Sequence, residues 1–160
     1  LCNAGVLIAD EPTTMLDVTM QSHILELLHE LRRQRGMSIL FITNDLGVVA
    51  ELCDRVVVMY AGRIVEQGPT AELLNRPLHP YTEALLRSTP RVEVAGGGEL
   101  FPIAGLPPRL SGKPLTECAF AARCTRVREG CRDGEPALTT TAEGRRRRCI
   151  IPVSEMPERS

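Results

Sequence analysis

The sequence predicts an α/β fold with a mostly parallel sheet, followed by a small Cys-rich irregular extension. Between residues 6 and 52, short apolar runs alternate with longer segments of helical periodicity, which is typical of a parallel sheet with crossover helices. Residues 55–67 then predict an antiparallel hairpin. From residue 90 onward, proline, glycine and cysteine become frequent and long periodicity disappears. We therefore divide the chain into two regions, 1–88 and 89–160.

The first part of the chain predicts a strand, a long helix and a second strand. Val6 to Ala9 are four consecutive apolar residues and predict a buried strand. Asp17 is a suitable N-cap for a helix that runs to about residue 35, where Gly36 supplies a left-handed stop. Residues 38–43 predict a strand that is buried on both faces. The apolar face of the helix is predicted to consist of Met20, Ile24, Leu27, Leu28 and Leu31.

The next segments predict three helices and a hairpin. Asn44 or Asp45 is expected to cap a helix through about residue 52. Residues 55–60 and 63–67 predict two strands joined by a tight turn at residues 61 and 62. Thr70 is expected to cap a short helix through residue 74, and Pro80 suits the first position of a helix that ends near residue 87.

The composition excludes several classes of partner. The 160 residues carry a formal net charge of -1, so no polyanionic partner is indicated. Aromatic residues make up 3% of the chain and Trp is absent, which argues against base stacking and against nucleic-acid binding. The apolar runs are too short to span a bilayer, so no membrane insertion is expected. We interpret the one basic run, residues 145–148, as a solvated face.

Two adjacent carboxylates, Asp10 and Glu11, follow the first predicted strand directly. Ligands of open α/β sheets bind outside the carboxyl ends of the strands, where an Asp can hold Mg²⁺ and a Glu can orient a water. Taken alone, such a pair is more often a helix cap or a turn. The 160 residues contain no Gly-x-x-x-x-Gly-Lys-Ser/Thr motif, and we interpret the glycine cluster at 96–98 as a linker. Since the sequence starts at Leu1, we expect a truncated chain.

The order of the motifs identifies a resemblance. Residues 7–13 (LIADEPT) resemble a Walker B strand with its catalytic Glu, and residues 14–17 (TMLD) resemble a D-loop. Residues 75–86 (NRPLHPYTEALL), Ile103-x-Gly105-x-Pro107-Pro108 and Cys118-x-Phe120-x-x-Arg123-Cys124 are similar to the C-terminal extension of oligopeptide/dipeptide importer ATPases. The chain thus resembles the C-terminal half of an ABC transporter ATP-binding subunit, a P-loop NTPase, without its Walker A, Q-loop and signature motifs.

This resemblance implies a role for each residue at the predicted sheet edge. Asp10 would bind the Mg²⁺ of Mg-ATP, Glu11 would polarise the attacking water, and Asp17 would contact the partner ATPase domain. Asn44 occupies the switch-loop position, where the family ordinarily has a histidine. Because Asn is shorter and never carries an imidazolium charge, we expect slow or absent hydrolysis at this site. The implied partners are a second ATPase subunit and transmembrane permease subunits, at the cytoplasmic face of the plasma membrane.

The cysteines of the extension form a possible metal site. Their spacing lacks the Cys-x-x-Cys pair that is usual for zinc, whereas iron–sulfur clusters tolerate varied spacing. The resemblance favours a [4Fe–4S] cluster; zinc and free thiols remain the alternatives. The candidate ligands are Cys118, Cys124, Cys131 and Cys149.

Two functions follow from these observations. The first is an ATP-hydrolysing subunit that energises peptide import, here truncated and impaired in hydrolysis; the fragment alone is expected to be inactive. The second is a non-catalytic docking remnant that binds a metal through its cysteines. A DNA-repair ATPase shares the Walker B and D-loop residues but gives no reason for His79-Pro80-Tyr81 or for the four-cysteine tail. The transported substrate stays open.

Overall fold

A computed structural model describes residues 4–89, 101–109, 112 and 115–157. The glycine cluster at 96–98 lies outside these residues. The chain divides into two compact units, Leu1–Cys53 and Asp54–Ser160. The predicted division into regions 1–88 and 89–160 concerns sequence regions and stays a prediction.

The first unit contains two strands and two helices in alternation. Strand β1 (Val6–Asp10) is followed by helix α1 (Val18–Arg35), strand β2 (Ser38–Ile42) and helix α2 (Leu46–Leu52). The two strands pair in parallel, with Val6 opposite Ser38 and Asp10 opposite Ile42. The predicted order of strands and helices is therefore confirmed for this unit.

Polar caps determine where the two helices begin and end. The Asp17 carboxylate accepts a hydrogen bond from the Met20 backbone N–H at 3.0 Å, and Gly36 ends α1 with a φ of 60°. Asp45, rather than Asn44, caps α2 by accepting from the backbone N–H groups of Gly47 and Val48. Asn44 is thus left outside the cap.

The core of the first unit corrects two predictions. Leu25 and Leu28 are the buried residues of α1, whereas Met20 and Leu27 are 47% and 55% exposed, so the buried face is rotated from the predicted one. The strands are not buried on both faces. Their inward residues pack with the helices, which leaves the opposite face of the pair exposed within the described residues; that face carries Val6, Ile8, Leu40 and Ile42.

The second unit is built around an antiparallel sheet of order β3-β4-β6-β5. Its elements are β3 (Arg55–Tyr60), β4 (Arg63–Pro69), α3 (Thr70–Asn75), α4 (Pro80–Ser88), β5 (Thr139–Thr140) and β6 (Arg146–Arg147), with 3₁₀ turns at Ala121–Arg123, Glu129–Cys131 and Val153–Glu155. The described residues have one parallel pair, in the first unit, and three antiparallel pairs, in the second, so the sheets are mixed and the predicted mostly parallel sheet is not confirmed. The reason is that the hairpin β3–β4 pairs with a strand of the tail.

Local signals in the second unit are mostly confirmed. The hairpin turns at Ala61 and Gly62, whose φ angles are 49° and 75°, and Pro80 is the first residue of α4. Thr70 does not cap α3, because the preceding Pro69 holds the cap position without a side-chain hydrogen bond. Instead Thr70 is the first helical residue, and its backbone N–H donates to the Asp54 carbonyl at 3.0 Å.

Three aromatic rings join the hairpin, α4 and the tail. Phe120 is 2% exposed, and its ring centroid lies 5.2 Å from that of Tyr60 and 5.3 Å from that of Tyr81. Tyr60 and Tyr81 are themselves 4.5 Å apart. Tail and hairpin therefore share one core, to which Leu73 and Val65 also belong.

Candidate functional site

The carboxyl ends of β1 and β2 bring together the residues expected to handle ATP. The parallel register places Asp10 opposite Ile42, and the Glu11 backbone N–H donates to the Ile42 carbonyl at 2.8 Å. Asn44 follows two residues after Ile42. Asp10, Glu11 and Asn44 are all exposed. The edge is therefore an open, polar surface that bears two carboxylates and one amide.

Glu11 has an unusual backbone conformation at this edge. Its φ of 45° lies in the left-handed region, which is uncommon for a residue with a side chain. The hydrogen bond to Ile42 holds the backbone, and the Thr14 hydroxyl donates to Glu11 Oε2 at 3.1 Å. Sparsely populated conformations of this kind cost about 1–3 kcal/mol and occur often at functional sites.

The segments on either side of the edge are fixed by hydrogen bonds of their own. Asp17, the expected D-loop contact, is exposed, and its carboxylate caps α1. Met15 is 99% exposed and has a φ of 66°. After β2, the Asp45 backbone N–H donates to the Thr43 hydroxyl at 3.0 Å, and the Gln21 amide of α1 donates to the Asp45 carboxylate at 3.4 Å. Position 44 is therefore held between two anchored neighbours.

The four tail cysteines, Cys118, Cys124, Cys131 and Cys149, are free thiols. The Cys118 backbone N–H donates to the Cys131 carbonyl at 2.9 Å. Burial raises the pKa of the Cys118 thiol, and the charges of Cys131 and Cys149 raise it further. Burial likewise raises the pKa of Cys124, with a contribution from the other three thiols.

The fit of these thiols to a metal depends on the kind of site. Within the described residues, no group of three or more His, Cys, Asp or Glu side chains is arranged to hold a metal ion. Zinc needs its ligands about 2.0–2.3 Å from one point, so the zinc alternative does not fit. Backbone N–H groups do point at sulfur, from Arg126 to Cys124 at 3.4 Å and from Arg128 to Cys131 at 3.5 Å. Such N–H groups stabilise the sulfurs of iron–sulfur sites, but the arrangement of the four thiols lends the cluster no support within the described residues, and the cluster stays a prediction.

Two arginines of the basic run are buried, which corrects the interpretation of this run as a solvated face. Arg145 and Arg147 are 4% and 8% exposed, whereas Arg146 between them is exposed. Arg145 forms an ion pair with Glu66, which has no exposed surface, and Arg147 donates to the Leu78 carbonyl at 3.3 Å. The two-residue periodicity of a strand was the available signal, since it places 145 and 147 on one face.

Arg123 explains why the distant motifs of the extension occur together. Its guanidinium donates to the carbonyls of Ile103 and Ala104, both at 2.9 Å, and to the Tyr60 hydroxyl at 3.2 Å. Gly105 has a φ of 77° and lies against the Arg123 side chain. A single guanidinium therefore ties the Ile103 segment and the hairpin to the tail.

Comparison with known proteins finds one matching family model and several relatives. Residues 65–131 match the family described as "Oligopeptide/dipeptide transporter, C-terminal region". Over most of its length the chain is similar to proteins named as peptide-import ATP-binding proteins. It is 50% identical, over 155 residues, to a peptide import ATP-binding protein of Brucella ovis, an alignment that covers 94% of this chain and 46% of that protein.

A further relative has a name of the same kind. The oligopeptide transport ATP-binding protein of Salmonella typhimurium is 46% identical over 98% of this chain and 46% of its own length. The chain thus spans about half the length of the curated relatives it matches. A solved structure of CbiO1 from Clostridium perfringens, part of an ABC transporter complex, is 42% identical over 43% of this chain and 28% of its own, with a TM-score of 0.41.

The buried His79 predicts a specific loss of stability in acid. Burial lowers the pKa of His79 to about 4, against 6.5 for an exposed histidine. As the pH falls below 6.5, the unfolded chain binds a proton at His79 before the folded protein does. The stability that neutral His79 contributes is therefore complete above pH 6.5 and is lost as the pH falls to about 4, by up to about 1.4 kcal/mol per pH unit. We expect His79→Asn, which can still cap α4, to remove this slope from the free energy of unfolding.

Urea denaturation at a series of pH values measures this slope. The exposed His29 provides the matched control, since His29→Asn should leave the pH dependence as it is in the wild type. Equal slopes for the wild type and His79→Asn between pH 6.5 and 4 would show that His79 is not neutral in the folded protein.

Proposed function

We propose that this chain provides the metal-binding and water-binding residues of an ATP site in an ABC transporter ATP-binding subunit that energises peptide import. The observation that carries the proposal is the parallel register of β1 and β2, which places Asp10, Glu11 and Asn44 at one sheet edge. The family match of residues 65–131 and the names of the relatives, peptide import and oligopeptide transport, support the same function.

Each residue at this edge has a role that its position permits. The exposed Asp10 carboxylate supplies hard oxygen ligands of the type that Mg²⁺ prefers. When bound, the Mg²⁺ of Mg-ATP offsets the charge of the phosphates. Glu11, the residue after Asp10, orients the attacking water. Its hydrogen bonds with Ile42 and Thr14 hold it in place before the substrate binds. Phosphoryl transfer depends mostly on such positioning.

Asn44 lowers the rate of ATP hydrolysis at this site. Its side-chain amide can donate one hydrogen bond toward a phosphate or a water, but it is shorter than an imidazole and always uncharged. Thr43 and Asp45 are held by hydrogen bonds, so the backbone at position 44 cannot move toward the phosphate to make up for the shorter side chain. Binding of ATP is therefore retained in the complete subunit while hydrolysis at this site is impaired.

The partners follow from the same proposal. The subunit associates with transmembrane permease subunits and with a second ATPase subunit, whose own site can still turn over. It is peripheral, at the cytoplasmic face of the plasma membrane. Among the described residues, none of the helices combines the length and hydropathy that a membrane crossing requires.

The role of Asp10 is tested by Asp10→Asn in the complete subunit. We expect the affinity for Mg-ATP to fall about 10- to 100-fold, because an interaction with a charged group contributes about 1.5–3 kcal/mol. Peptide uptake into cells should fall with it. Nucleotide binding is measured with and without Mg²⁺, and Asp133→Asn, at an exposed position of the tail, serves as the control. If Mg-ATP affinity and peptide uptake were unchanged in Asp10→Asn, the carboxyl ends of β1 and β2 would not provide the Mg²⁺-binding part of an ATP site.

The role of position 44 is tested by Asn44→His. We expect the turnover of ATP at this site to rise by about 10²-fold, the lower end of what a positioned acid–base group contributes. The assembled transporter should carry an inactivated partner site, so that the measured phosphate release comes from this site alone. Asn44→Gln, which lengthens the amide without adding an imidazole, should stay slow. A histidine variant no faster than the wild type would contradict the proposed impairment.

A second candidate function rests on the backbone N–H groups that point at two of the tail thiols, those of Cys124 and Cys131. We propose that Cys118, Cys124, Cys131 and Cys149 bind a [4Fe–4S] cluster through their thiolates. The backbone N–H groups that point at Cys124 and Cys131 would stabilise negative charge on sulfur. This function would belong to the tail and would be separate from the ATP site.

Iron analysis and an absorbance spectrum under anaerobic conditions test the cluster. We expect the wild type to contain iron in the stoichiometry of a [4Fe–4S] cluster, and Cys124→Ser to lose it, because a serine hydroxyl replaces one thiolate ligand. Cys53→Ser, which removes a half-buried thiol of the first unit, should retain the iron. Absence of iron in the anaerobic wild type, or its retention in Cys124→Ser, would contradict the proposed ligands.

A further inference from the structure

Residues 151–156 pack back onto the second unit, and we call this segment the strap. It contains the 3₁₀ turn Val153–Glu155. Ile151 and Met156, on either side of that turn, are 1% and 5% exposed and form a buried cluster with Leu78, the second residue before α4. The strap is therefore attached at each of its ends by a buried apolar side chain.

Two arginines hold the strap from the outside. The Arg126 guanidinium donates to the Glu155 carbonyl at 2.6 Å, and the Arg128 guanidinium forms an ion pair with the Glu155 carboxylate. Arg126 also forms an ion pair with Glu83 of α4, at 3.1 Å. The pair between Arg128 and Glu155 is exposed, so water can replace it at a small cost in free energy.

The same two arginines contact thiols through their backbone. The Arg126 N–H points at the sulfur of Cys124, at 3.4 Å, and the Arg128 N–H points at the sulfur of Cys131, at 3.5 Å. Each arginine thus contacts a thiol with its backbone and the strap with its side chain. A movement of the strap therefore acts on the residues that face these sulfurs.

Cys149 lies directly before the strap and is half-buried. It packs against the buried cluster to which the ends of the strap belong, and burial raises the pKa of its thiol. Because the thiolate is the reactive form, a buried thiol of this kind reacts slowly. Cys118 packs elsewhere, against the aromatic cluster of the hairpin and α4. The thiols of the tail therefore differ in their relation to the strap.

We propose that the strap opens and closes on the second unit, and that it controls the access of solvent and of thiol-reactive compounds to Cys131 and Cys149. Opening withdraws Ile151 and Met156 from their cluster and breaks the contacts of Glu155, while the hairpin and its aromatic cluster stay folded. Local opening of this kind costs less free energy than unfolding of the whole unit. The proposal concerns access to free thiols, so it can hold or fail independently of the ATP site and of the [4Fe–4S] cluster.

The rate at which N-ethylmaleimide alkylates each cysteine tests the strap. The chain is reduced and treated with a chelator, and mass spectrometry resolves the labelled residues. Met156→Ala should raise the rates at Cys131 and Cys149 by at least about tenfold, which corresponds to about 1.4 kcal/mol in the free energy of opening, because a buried attachment is lost. The rates at Cys118 and at Cys53 of the first unit should not change.

Matched variants make this test specific. Met20→Ala, at an exposed methionine of α1, should label as the wild type does. Glu155→Gln removes the charge that pairs with Arg128 and no buried group, so it keeps the test decisive if Met156→Ala does not fold. It should raise the rates at Cys131 and Cys149 by about two- to fivefold, as expected for an exposed ion pair. Glu51→Gln, at an exposed position of α2, is its control.

Two results would overturn the proposal. The first is alkylation of Cys131 and Cys149 at the wild-type rates in either variant of the strap that folds. The second is an equal acceleration at Cys118, which would show that the unit opens as a whole and has no separate strap.

Discussion

A single carboxylate with no exposed surface organises the second unit. Glu66 lies on β4 and accepts hydrogen bonds from the backbone N–H groups of Leu78 and His79, at 2.8 and 3.0 Å. It also forms the ion pair with Arg145, which is 79 residues later in the chain. Burial raises the pKa of Glu66, and the hydrogen bond from Leu78 and the charge of Arg145 oppose that rise. The hairpin, the start of α4 and the tail therefore meet at one group.

This arrangement restricts the conformations available to the tail. A buried ion pair contributes little net stability over an apolar pair, but the loss of one partner typically costs about 3–5 kcal/mol because a charge is left buried and unpaired. Conformations of the tail in which Glu66 lacks its partner Arg145 are therefore disfavoured. Arg147 adds to this selectivity by donating to the Leu78 carbonyl, and Arg123 adds a second attachment at the Tyr60 hydroxyl. The first unit depends instead on local caps and on its parallel strand pair.

The contrast between local and distant interactions explains how far the sequence predicts the structure. The strands β1 and β2, the caps at Asp17 and Asp45 and the turn at Gly62 all arise from residues near one another, and each was predicted. The exposed face of the β1–β2 pair was not, because burial depends on which elements cover a strand. Burial of Arg145 and Arg147 requires Glu66 and Leu78, which are distant in sequence. The candidate ATP edge was predictable because it needs only a strand, its parallel neighbour and the residues that follow each.

The proposal that Glu11 and position 44 act in the same hydrolysis step is tested most directly by a double-mutant cycle. Phosphate release from the assembled transporter, with its partner site inactivated, is compared among the wild type, Asn44→His, Glu11→Gln and the double variant. Residues that serve one reaction step are coupled, so the gain from Asn44→His should disappear in the Glu11→Gln background. An equal gain in both backgrounds would show that the two positions act independently, and would contradict the proposed site.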